Sequence, residues 1–355
     1  MEAARMMEIP EFAAGEYPNH MDVELSSKCN LRCRFCHLSY FNPKESAQIS
    51  LAEFQKYIGP MLPHMHSITL FNKFEAPTCR DFVPIFRYLS EFDIETYFST
   101  NGLLLSDDIL DVIVGKLTYL TVSITGFTPA SYRQNMNSDG YQILRQNLTK
   151  LNALKTKRST RYPILRISTV GMLDTLEELT MAIDFAAEFG AEEGVQMTSF
   201  KSFAEPLNEF MPLNDMPTYT KVTKHAIAYA KDLGIKLVLQ SGSIEENREQ
   251  TEHLGHRYCD LPWHRLSVQP DGEVYPCPMA YAPIGNVNDT PLRTLWNGAA
   301  LDKFRRGVND PDNMNSDCAN CTHCRHRSLT LRKANDFSAA ATYPTGMRRK
   351  EITHA

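Results

Sequence analysis

The stretch MDVELSSKCNLRCRFC, residues 21–36, joins an alternating segment to a loop that contains three cysteines. The alternation over residues 21–27 predicts a β-strand, and Cys29, Cys33 and Cys36 follow it in a Cys-x-x-x-Cys-x-x-Cys spacing. Thiolates this close suit an iron–sulfur cluster, and three of them leave one iron of a 4Fe-4S cluster without a protein ligand. Four-coordinate zinc or disulfide pairing explains three such cysteines less well. The stretch therefore predicts a cluster at the carboxyl end of a first strand.

A regular alternation of strand and helix patterns follows the loop as far as residue 240. The predicted strands cover residues 66–71, 95–99, 117–124, 164–170, 194–198 and 235–240, with helices predicted between them. Strands that alternate with helices form a parallel sheet with right-handed crossovers. Because about six such units are too few for an eightfold barrel, we predict an α/β fold, a partial (β/α)6 TIM-like barrel that binds its ligands at the carboxyl ends of the strands.

A second group of cysteines begins at Cys259. Asp271-Gly272 lies between two alternating segments and predicts a β-hairpin that brings Cys259 and Cys277 to one end. A short helix is predicted from Pro291. Three further thiols follow at Cys318, Cys321 and Cys324. Five thiols are thus available for a cluster that needs four, although zinc held by four of them remains an alternative, because Cys-x-x-Cys pairs suit zinc too.

The composition is that of an ordinary enzyme, and the net negative charge argues against nucleic acid as a partner. The chain has 355 residues, a formal charge of -5 and a pI near 6.1, whereas nucleic-acid binding needs clustered excess cation. The first 20 residues contain acidic side chains and no continuous apolar run, so we expect neither a signal peptide nor a membrane span. Cysteines grouped for metal binding favour a cytoplasmic protein over a secreted one with disulfides.

These patterns divide the chain into five predicted segments. Residues 1–20 form an N-terminal extension, residues 21–240 the partial barrel and residues 241–258 a polar linker. A small domain with the hairpin and short helices covers residues 259–327. Residues 328–355 lack apolar periodicity, and we expect a loosely held tail.

The cysteine spacing and several short elements at the predicted strand ends resemble the radical S-adenosylmethionine (radical SAM) superfamily, whose fold is a six-unit partial barrel. NKFEAPTC (residues 72–79) is similar to the family's Gly-Gly-Glu-Pro element, although Phe74 and Ala76 depart from its glycines. FSTNG (residues 98–102) and VSITG (residues 122–126) are similar to its Thr-Asn-Gly and Ser-Ile-Asp-Gly elements, with Thr125 in place of the acidic residue. The resemblance implies that SAM chelates the open iron and yields a 5'-deoxyadenosyl radical, which takes a hydrogen atom from the substrate.

The resemblance also implies which residues contact SAM. The acidic residue of the first element binds the SAM amino group, and a surface glutamate is the alternative interpretation. A strand-borne Arg166 is more often an ion-paired structural residue. The expected SAM contacts are Glu75, Pro77, Asn101, Ser123, Arg166 and Ser168.

Residues 259–327 resemble the SPASM or twitch extension of some radical SAM enzymes, through the interval between Cys259 and Cys277, the Leu-Trp-Asn-Gly signature and the final Cys-x-x-Cys. A full SPASM domain with two auxiliary clusters needs about seven cysteines, so the resemblance implies a single auxiliary 4Fe-4S cluster. Its ligands would be Cys259 and Cys277 with two of the last three. Cys318 and Cys321 are favoured, and Cys324 is the substitute.

The resemblance favours a two-electron oxidation of a small natural product, at an alcohol carbon of an aminocyclitol or sugar, with the auxiliary cluster as electron acceptor. A flavodoxin- or ferredoxin-type protein would donate the electron that starts the reaction. One alternative is crosslinking or epimerisation of a ribosomally made peptide. Another is redox-neutral epimerisation with Cys79 as hydrogen donor, although Cys79 is more simply a small buried side chain. A cluster- or zinc-stabilised binding protein on a degenerate barrel also remains open.

Overall fold

The computed structural model describes residues 12–43, 46–71, 73–200, 202, 204–239, 259–310, 312–319, 321 and 347–349. The strands are β1 (His20–Val23), β2 (Phe41–Pro43), β3 (Ser67–Thr69), β4 (Glu95–Thr100), β5 (Tyr119–Ser123), β6 (Ile164–Gly171), β7 (Val195–Ser199), β8 (Leu237–Leu239), β9 (Arg265–Val268), β10 (Glu273–Tyr275), β11 (Gly285–Asn286) and β12 (Met347–Arg349).

The α-helices connect these strands or follow the hairpin. They are α1 (Leu51–Tyr57), α2 (Phe82–Leu89), α3 (Asp107–Ile113), α4 (Pro129–Met136), α5 (Tyr141–Lys157), α6 (Leu179–Glu188), α7 (Met216–Asp232), α8 (Leu261–His264), α9 (Leu292–Trp296), α10 (Ala299–Arg306) and α11 (Ser316–Ala319). Short 3₁₀ turns occur at His37–Ser39, Gly59–His64, Ala76–Thr78, Leu173–Glu178, Glu205–Phe210 and Pro212–Asn214.

One sheet runs through both halves of the described chain, in the order β11-β10-β9-β1-β3-β4-β5-β6-β7-β8. The strands from β1 to β8 in this sheet pair in parallel, in chain order, with helices in the crossovers. This arrangement confirms the predicted partial barrel followed by a hairpin. The pleat alternates, so that Val122 and Ile167 lie in the core while Thr121 and Arg166 line the interior cavity of the barrel.

The helices cover the outer face of the sheet with their apolar sides. On α2, Phe82, Ile85, Phe86 and Leu89 are all buried, at the spacing that places residues on one helical face. Burial of each such side chain contributes about 1.5–3 kcal/mol before entropy is considered. The core therefore holds the strand ends, and the loops that follow them, in defined positions.

Three features were not predicted from the sequence. Helix α4 begins with a proline in its first turn and is capped by Thr128, whose hydroxyl accepts the Ser131 N–H, but its short polar sequence has little apolar periodicity. Strand β9 pairs in parallel with β1, so the hairpin extends the barrel sheet. In the predicted tail, β12 pairs with β2 in antiparallel fashion.

The division of the chain at residues 240 and 259 stays a prediction, because residues 240–258, which include the predicted linker, lie outside the described part. Within the described residues, no helix combines the length and apolar character required to cross a bilayer.

Candidate active site

The three cysteines of the loop after β1 lie together at the carboxyl edge of the sheet, each partly buried. The Cys36 N–H donates to the Cys33 carbonyl at 3.0 Å, and the Leu31 N–H donates to Cys29 Sγ at 3.4 Å. Burial raises the pKa of Cys29 to about 11 and raises the pKa of Cys33 and of Cys36. Thiols with a raised pKa stay protonated near neutral pH unless a metal binds the sulfur and displaces the proton. The loop therefore fits an iron–sulfur cluster.

Arg34 lies between Cys33 and Cys36 and connects the loop to α4 and to the turn before α6. Its Nε donates to Asn135 Oδ1 at 2.8 Å, and its Nη2 donates to Asp174 Oδ2 at 2.6 Å. The guanidinium also lies 4.7 Å from the ring centroid of Phe210. A planar guanidinium satisfies two acceptors and one aromatic face at once, so Arg34 holds the loop in one position.

Glu75 lies in the interior beside this loop and is 3% exposed. Its Oε1 accepts from Thr100 Oγ1, and its Oε2 accepts from the N–H and the Nδ2 of Asn101 at 3.0 and 2.8 Å. Asn101 Nδ2 also donates to Asn30 Oδ1 in the cysteine loop at 2.8 Å. Burial nevertheless raises the pKa of Glu75 to about 7, and a cation or hydrogen-bond donor placed beside it would favour the ionised carboxylate.

Two charged residues near Glu75 were missed from the sequence. Glu24, 1% exposed, accepts the N–H of Lys73 at 2.6 Å and that of Phe74 at 3.3 Å, which fixes the loop that leads to Glu75. The Lys73 ammonium lies 5.9 Å from the ring centroid of Tyr275 in the hairpin. Burial lowers the pKa of Lys73 and, with the Lys73 charge, lowers the pKa of His37 to about 4. An acidic residue within an otherwise buried strand was the available signal for Glu24.

The other predicted SAM contacts lie at separate positions. Pro77 lies in the 3₁₀ turn directly after Glu75. Ser123, Arg166 and Ser168 line the cavity inside the barrel, where Arg166 Nη2 is 3.7 Å from Glu193 Oε2. The structure thus places Glu75 and Asn101 together beside the cysteine loop, with Pro77 in the turn after Glu75, and Ser123, Arg166 and Ser168 on strands that line the barrel interior; their roles stay predictions.

Cys79, the predicted hydrogen donor, is 4% exposed within the apolar core. Its Sγ donates to the carbonyl of Ile49 at 3.4 Å, and burial raises its pKa to about 11. These contacts are typical of a structural thiol.

The cavity inside the barrel measures about 690 Å³, and most of the residues that line it are polar. Tyr97 and Tyr119 stack there with ring centroids 5.3 Å apart. The remaining lining residues are His20, Ser67, Thr69, Phe71, Phe98, Ser99, Thr121, Ser123, Arg166, Ser168, Gln196, Thr198 and Arg265. Hydroxyl, amide and guanidinium groups on a rigid sheet suit a small polar ligand.

A partly buried ionic network lies at the amino ends of β1 and β9. Arg265 donates to both carboxylate oxygens of Asp22 at 2.7 and 2.9 Å, and also to His20 Nε2 at 2.9 Å. Because a guanidinium only donates, His20 Nε2 accepts, and the ring N–H lies on Nδ1, 2.7 Å from Ser67 Oγ. The network joins the hairpin to the barrel.

The second cysteine group forms its own pocket. Cys259, Cys277, Cys318 and Cys321 line one cavity together with Phe304. Burial raises the pKa of Cys277 and of Cys318 to about 12. No set of three or more His, Cys, Asp or Glu side chains in the described part of the chain is close enough to hold one metal ion, but a 4Fe-4S cluster binds each thiolate to a different iron.

The backbone around the second pocket is well anchored. Asn309 Oδ1 accepts the Cys259 N–H at 2.8 Å, and its Nδ2 donates to the Cys259 carbonyl at 2.9 Å. The carboxylate of Asp317 accepts the N–H groups of Tyr281 and Ala282 at 2.9 and 3.1 Å. The four thiols therefore fit an auxiliary cluster, while Cys324, the alternative ligand, lies outside the described residues.

Comparisons with known proteins match both halves of the chain. The AdoMet-dependent heme synthase of Methanosarcina barkeri (strain Fusaro / DSM 804) is 22% identical over 343 residues, which cover 88% of this chain and 92% of that protein. The crystal structure of Streptococcus suis SuiB bound to S-adenosylmethionine has a TM-score of 0.63 at 15% identity and covers 88% of this chain and 72% of SuiB. Native anSMEcpe with bound AdoMet has a TM-score of 0.58 at 16% identity, covering 86% of this chain and 87% of anSMEcpe. At these identities the solved structures support the fold alone.

Two family models match the chain. The model described as "Radical SAM superfamily" matches residues 23–186, and the SPASM model, described as "Iron-sulfur cluster-binding domain", matches residues 259–324. The radical SAM domain binds SAM and a 4Fe-4S cluster, and the SPASM domain binds auxiliary Fe-S clusters, which confirms the predicted cofactors. The chain therefore belongs to the radical SAM superfamily and carries a C-terminal SPASM domain.

Proposed function

We propose that this radical SAM enzyme catalyses a two-electron oxidation of a small polar molecule, at an alcohol carbon of an aminocyclitol or sugar. The observation that carries the proposal is the attachment of both cysteine groups to neighbouring strands. The loop with Cys29, Cys33 and Cys36 follows β1, and the hairpin before Cys277 includes β9, which pairs with β1 along its whole length. Because β9 is parallel to β1, Cys259 precedes the amino end of β9, and Cys277 follows β10 as it returns toward that end, whereas the first cysteine group follows the carboxyl end of β1. A substrate held inside the barrel would therefore lie between an oxidising radical at one edge and an electron acceptor at the other.

When bound, the cofactors would supply a 5'-deoxyadenosyl radical able to take a hydrogen atom from the substrate, and a second cluster able to accept one electron as a proton leaves. The protein's residues position the reactants. Glu75 would accept a hydrogen bond from the SAM amino group, and Asn101 would hold Glu75 and Asn30 of the cysteine loop in register. We propose that a flavodoxin- or ferredoxin-type protein supplies the starting electron, in the cytoplasm.

The interior cavity supports a small substrate. Its volume of about 690 Å³ lies within the range that small-molecule sites occupy. Thr121, Ser123, Ser168 and Thr198 offer hydroxyl groups that suit a polyhydroxylated molecule, and Arg166 offers a cationic group.

Peptide modification is the second candidate function, favoured by what two solved structures of the same fold contain. SuiB has been solved bound to precursor peptide SuiA, and anSMEcpe with the Cp18Cys peptide. Redox-neutral epimerisation with Cys79 as hydrogen donor receives less support, because Cys79 is buried in the core away from the residues that line the interior cavity.

An anaerobic turnover experiment distinguishes these functions. Reconstituted protein receives dithionite and SAM together with one of three kinds of substrate: aminocyclitols and sugars, a precursor-type peptide, or a tetrapyrrole. Mass spectrometry then follows 5'-deoxyadenosine and the products. We expect an oxidised small molecule, two mass units lighter, with deuterium from the alcohol carbon appearing in 5'-deoxyadenosine. A product only from the peptide or only from the tetrapyrrole would overturn the proposed substrate class, and absence of 5'-deoxyadenosine would overturn radical SAM chemistry.

Two cysteine variants separate the roles of the cluster sites, and a third tests the hydrogen-donor alternative. Cys36→Ala should abolish 5'-deoxyadenosine formation, because it removes one of the three ligands beside the open iron. Cys277→Ala should keep SAM cleavage and lose the oxidised product. Cys79→Ala should leave turnover unchanged, whereas a hydrogen-donor role predicts loss of product.

A further inference from the structure

The hydroxyl of Tyr132 is a buried donor without an acceptor in the described part of the protein. Tyr132 lies in α4 with 0% of its surface exposed, and its ring centroid is 5.5 Å from that of Tyr141. Among the described residues, Tyr132 Oη has no hydrogen-bond partner. Leaving a buried hydroxyl unpaired is unfavourable, so an acceptor from outside the described residues is expected at this point.

The surrounding contacts place this hydroxyl beside the cysteine loop. Met136, one helical turn after Tyr132 and so on the same face of α4, has its Sδ 3.8 Å from Cys33 Sγ. Asn135 in the same turn binds Arg34, both through its side chain and through its carbonyl, which accepts the Arg34 N–H at 3.0 Å. This face of α4 is therefore packed against the loop that holds the cluster.

The charges nearby keep the hydroxyl protonated. Burial raises the pKa of Tyr132 above its usual range, and the neighbouring Cys33 and Glu75 raise it further. Tyr132 is thus a hydrogen-bond donor with two acidic groups, Cys33 and Glu75, near it. Glu75 does not fill the position of acceptor, since its oxygens accept from Thr100 Oγ1 and from two N–H groups of Asn101.

We propose that Tyr132 Oη donates a hydrogen bond to a sulfur atom of the 4Fe-4S cluster, on the side of Cys33. Tyr132 is then a positioning residue that favours reduction of the cluster, because a hydrogen bond to sulfur stabilises the more negative, reduced state. The proposal rests on membership of the radical SAM superfamily and is independent of which substrate is oxidised.

The test is the reduction potential of this cluster in the reconstituted full chain without SAM, followed by EPR during a redox titration. The cluster is recognised by the change of its signal when SAM is added afterwards. Tyr132→Phe removes only the hydroxyl, and we expect the equilibrium constant for reduction to fall about tenfold, which is ~59 mV for one electron. The matched control is Tyr141→Phe, because the Tyr141 hydroxyl donates to the Phe127 carbonyl at 2.8 Å and should not affect the potential.

Two results would overturn the proposal. One is an unchanged potential in Tyr132→Phe with full iron content and unchanged SAM affinity. The other is an unchanged potential combined with weaker SAM binding, which would assign the hydroxyl to SAM. If Tyr132→Phe assembles no cluster, 3-fluorotyrosine at position 132 provides the measurement, because its more acidic hydroxyl is a stronger donor and should make reduction easier; no change there contradicts the proposal as well.

Discussion

Replacement of Glu75 by glutamine should have opposite effects on stability and on SAM affinity. Glu75 is 3% exposed, and burial raises its pKa from the usual 4.5 to about 7. An unfolded chain releases this proton above about pH 4.5, whereas the folded protein retains it until about pH 7. The free energy of unfolding therefore decreases between these values and stays lower at higher pH. The rise in pKa corresponds to about 3 kcal/mol.

Glutamine does not ionise, so Glu75→Gln avoids this decrease in the free energy of unfolding. Its amide can donate to Thr100 Oγ1 while its carbonyl accepts from Asn101, which preserves the contacts of Glu75. Cluster-free protein under reducing conditions, unfolded by urea, should be more stable in the variant by up to about 3 kcal/mol near pH 8 and by little near pH 5.

SAM binding should change in the other direction. The variant would lose the proposed charge-assisted hydrogen bond to the SAM amino group, worth about 1.5–3 kcal/mol, so the Kd for SAM should rise roughly 10-fold to 150-fold. Wild-type affinity should increase as pH rises through about 7, since ionised Glu75 is the binding form, and the variant should lack this increase.

Anaerobic calorimetry with reconstituted protein measures SAM binding, and Glu177→Gln is the control because Glu177 is an exposed glutamate in the turn before α6. Equal SAM affinity in Glu75→Gln and wild type would refute the proposed contact between Glu75 and the SAM amino group. A variant that is less stable than wild type near pH 8 would refute the electrostatic argument.

Three further changes test other parts of the site. Cys318→Ser should reduce iron from about eight to about four per chain, because it removes one ligand of the auxiliary cluster; iron and sulfide analysis measures this. Lys73→Met should make the auxiliary cluster harder to reduce in an EPR titration, since a cation beside Tyr275 is lost. Arg34→Lys should lower the free energy of unfolding by about 1–3 kcal/mol in urea, because lysine cannot bind Asn135 and Asp174 in the same planar arrangement.

Each of these variants has a control or a contradicting result. Retention of about eight irons in Cys318→Ser would show that Cys318 is not required as a ligand, as expected if Cys324 serves instead. Lys56→Met, at an exposed position in α1, should leave the auxiliary potential unchanged, and an equal shift there would contradict a local charge effect. Arg133→Lys at an exposed ion pair should cost little, and a cost equal to that of Arg34→Lys would contradict the role of Arg34.

Much of the fold was predictable because it follows from local patterns. Alternation located β1 and the strands from β3 to β8 but not β2, and β1 begins at His20 and ends at Val23 rather than at Ser27. Helix α4 was missed, because its sequence PASYRQNM has few apolar residues at helical spacing and depends on the cap at Thr128. Tyr132 and Asn135 were therefore not identified as site residues from the sequence, since both lie in α4.

Contacts between residues distant in sequence could not be predicted from periodicity. Arg265 and Asp22 are 243 positions apart, yet they form the bidentate pair between β9 and β1. Glu75 was identified from the sequence, but the hydrogen bonds that Thr100 and Asn101 donate to it depend on the pairing of β3 with β4. Only the packing of the elements determines such neighbours.

The sequence by itself determined the chemistry of the two cysteine groups, because the spacing of Cys29, Cys33 and Cys36 within eight residues already restricts the geometry of their thiols. The tertiary structure decided what surrounds them. It placed the hairpin strand β9 against β1, the Tyr132 hydroxyl beside Cys33, and a buried Glu75 with a raised pKa facing the same loop. Burial and electrostatic environment arise when distant segments exclude water together, and no single segment contains that information.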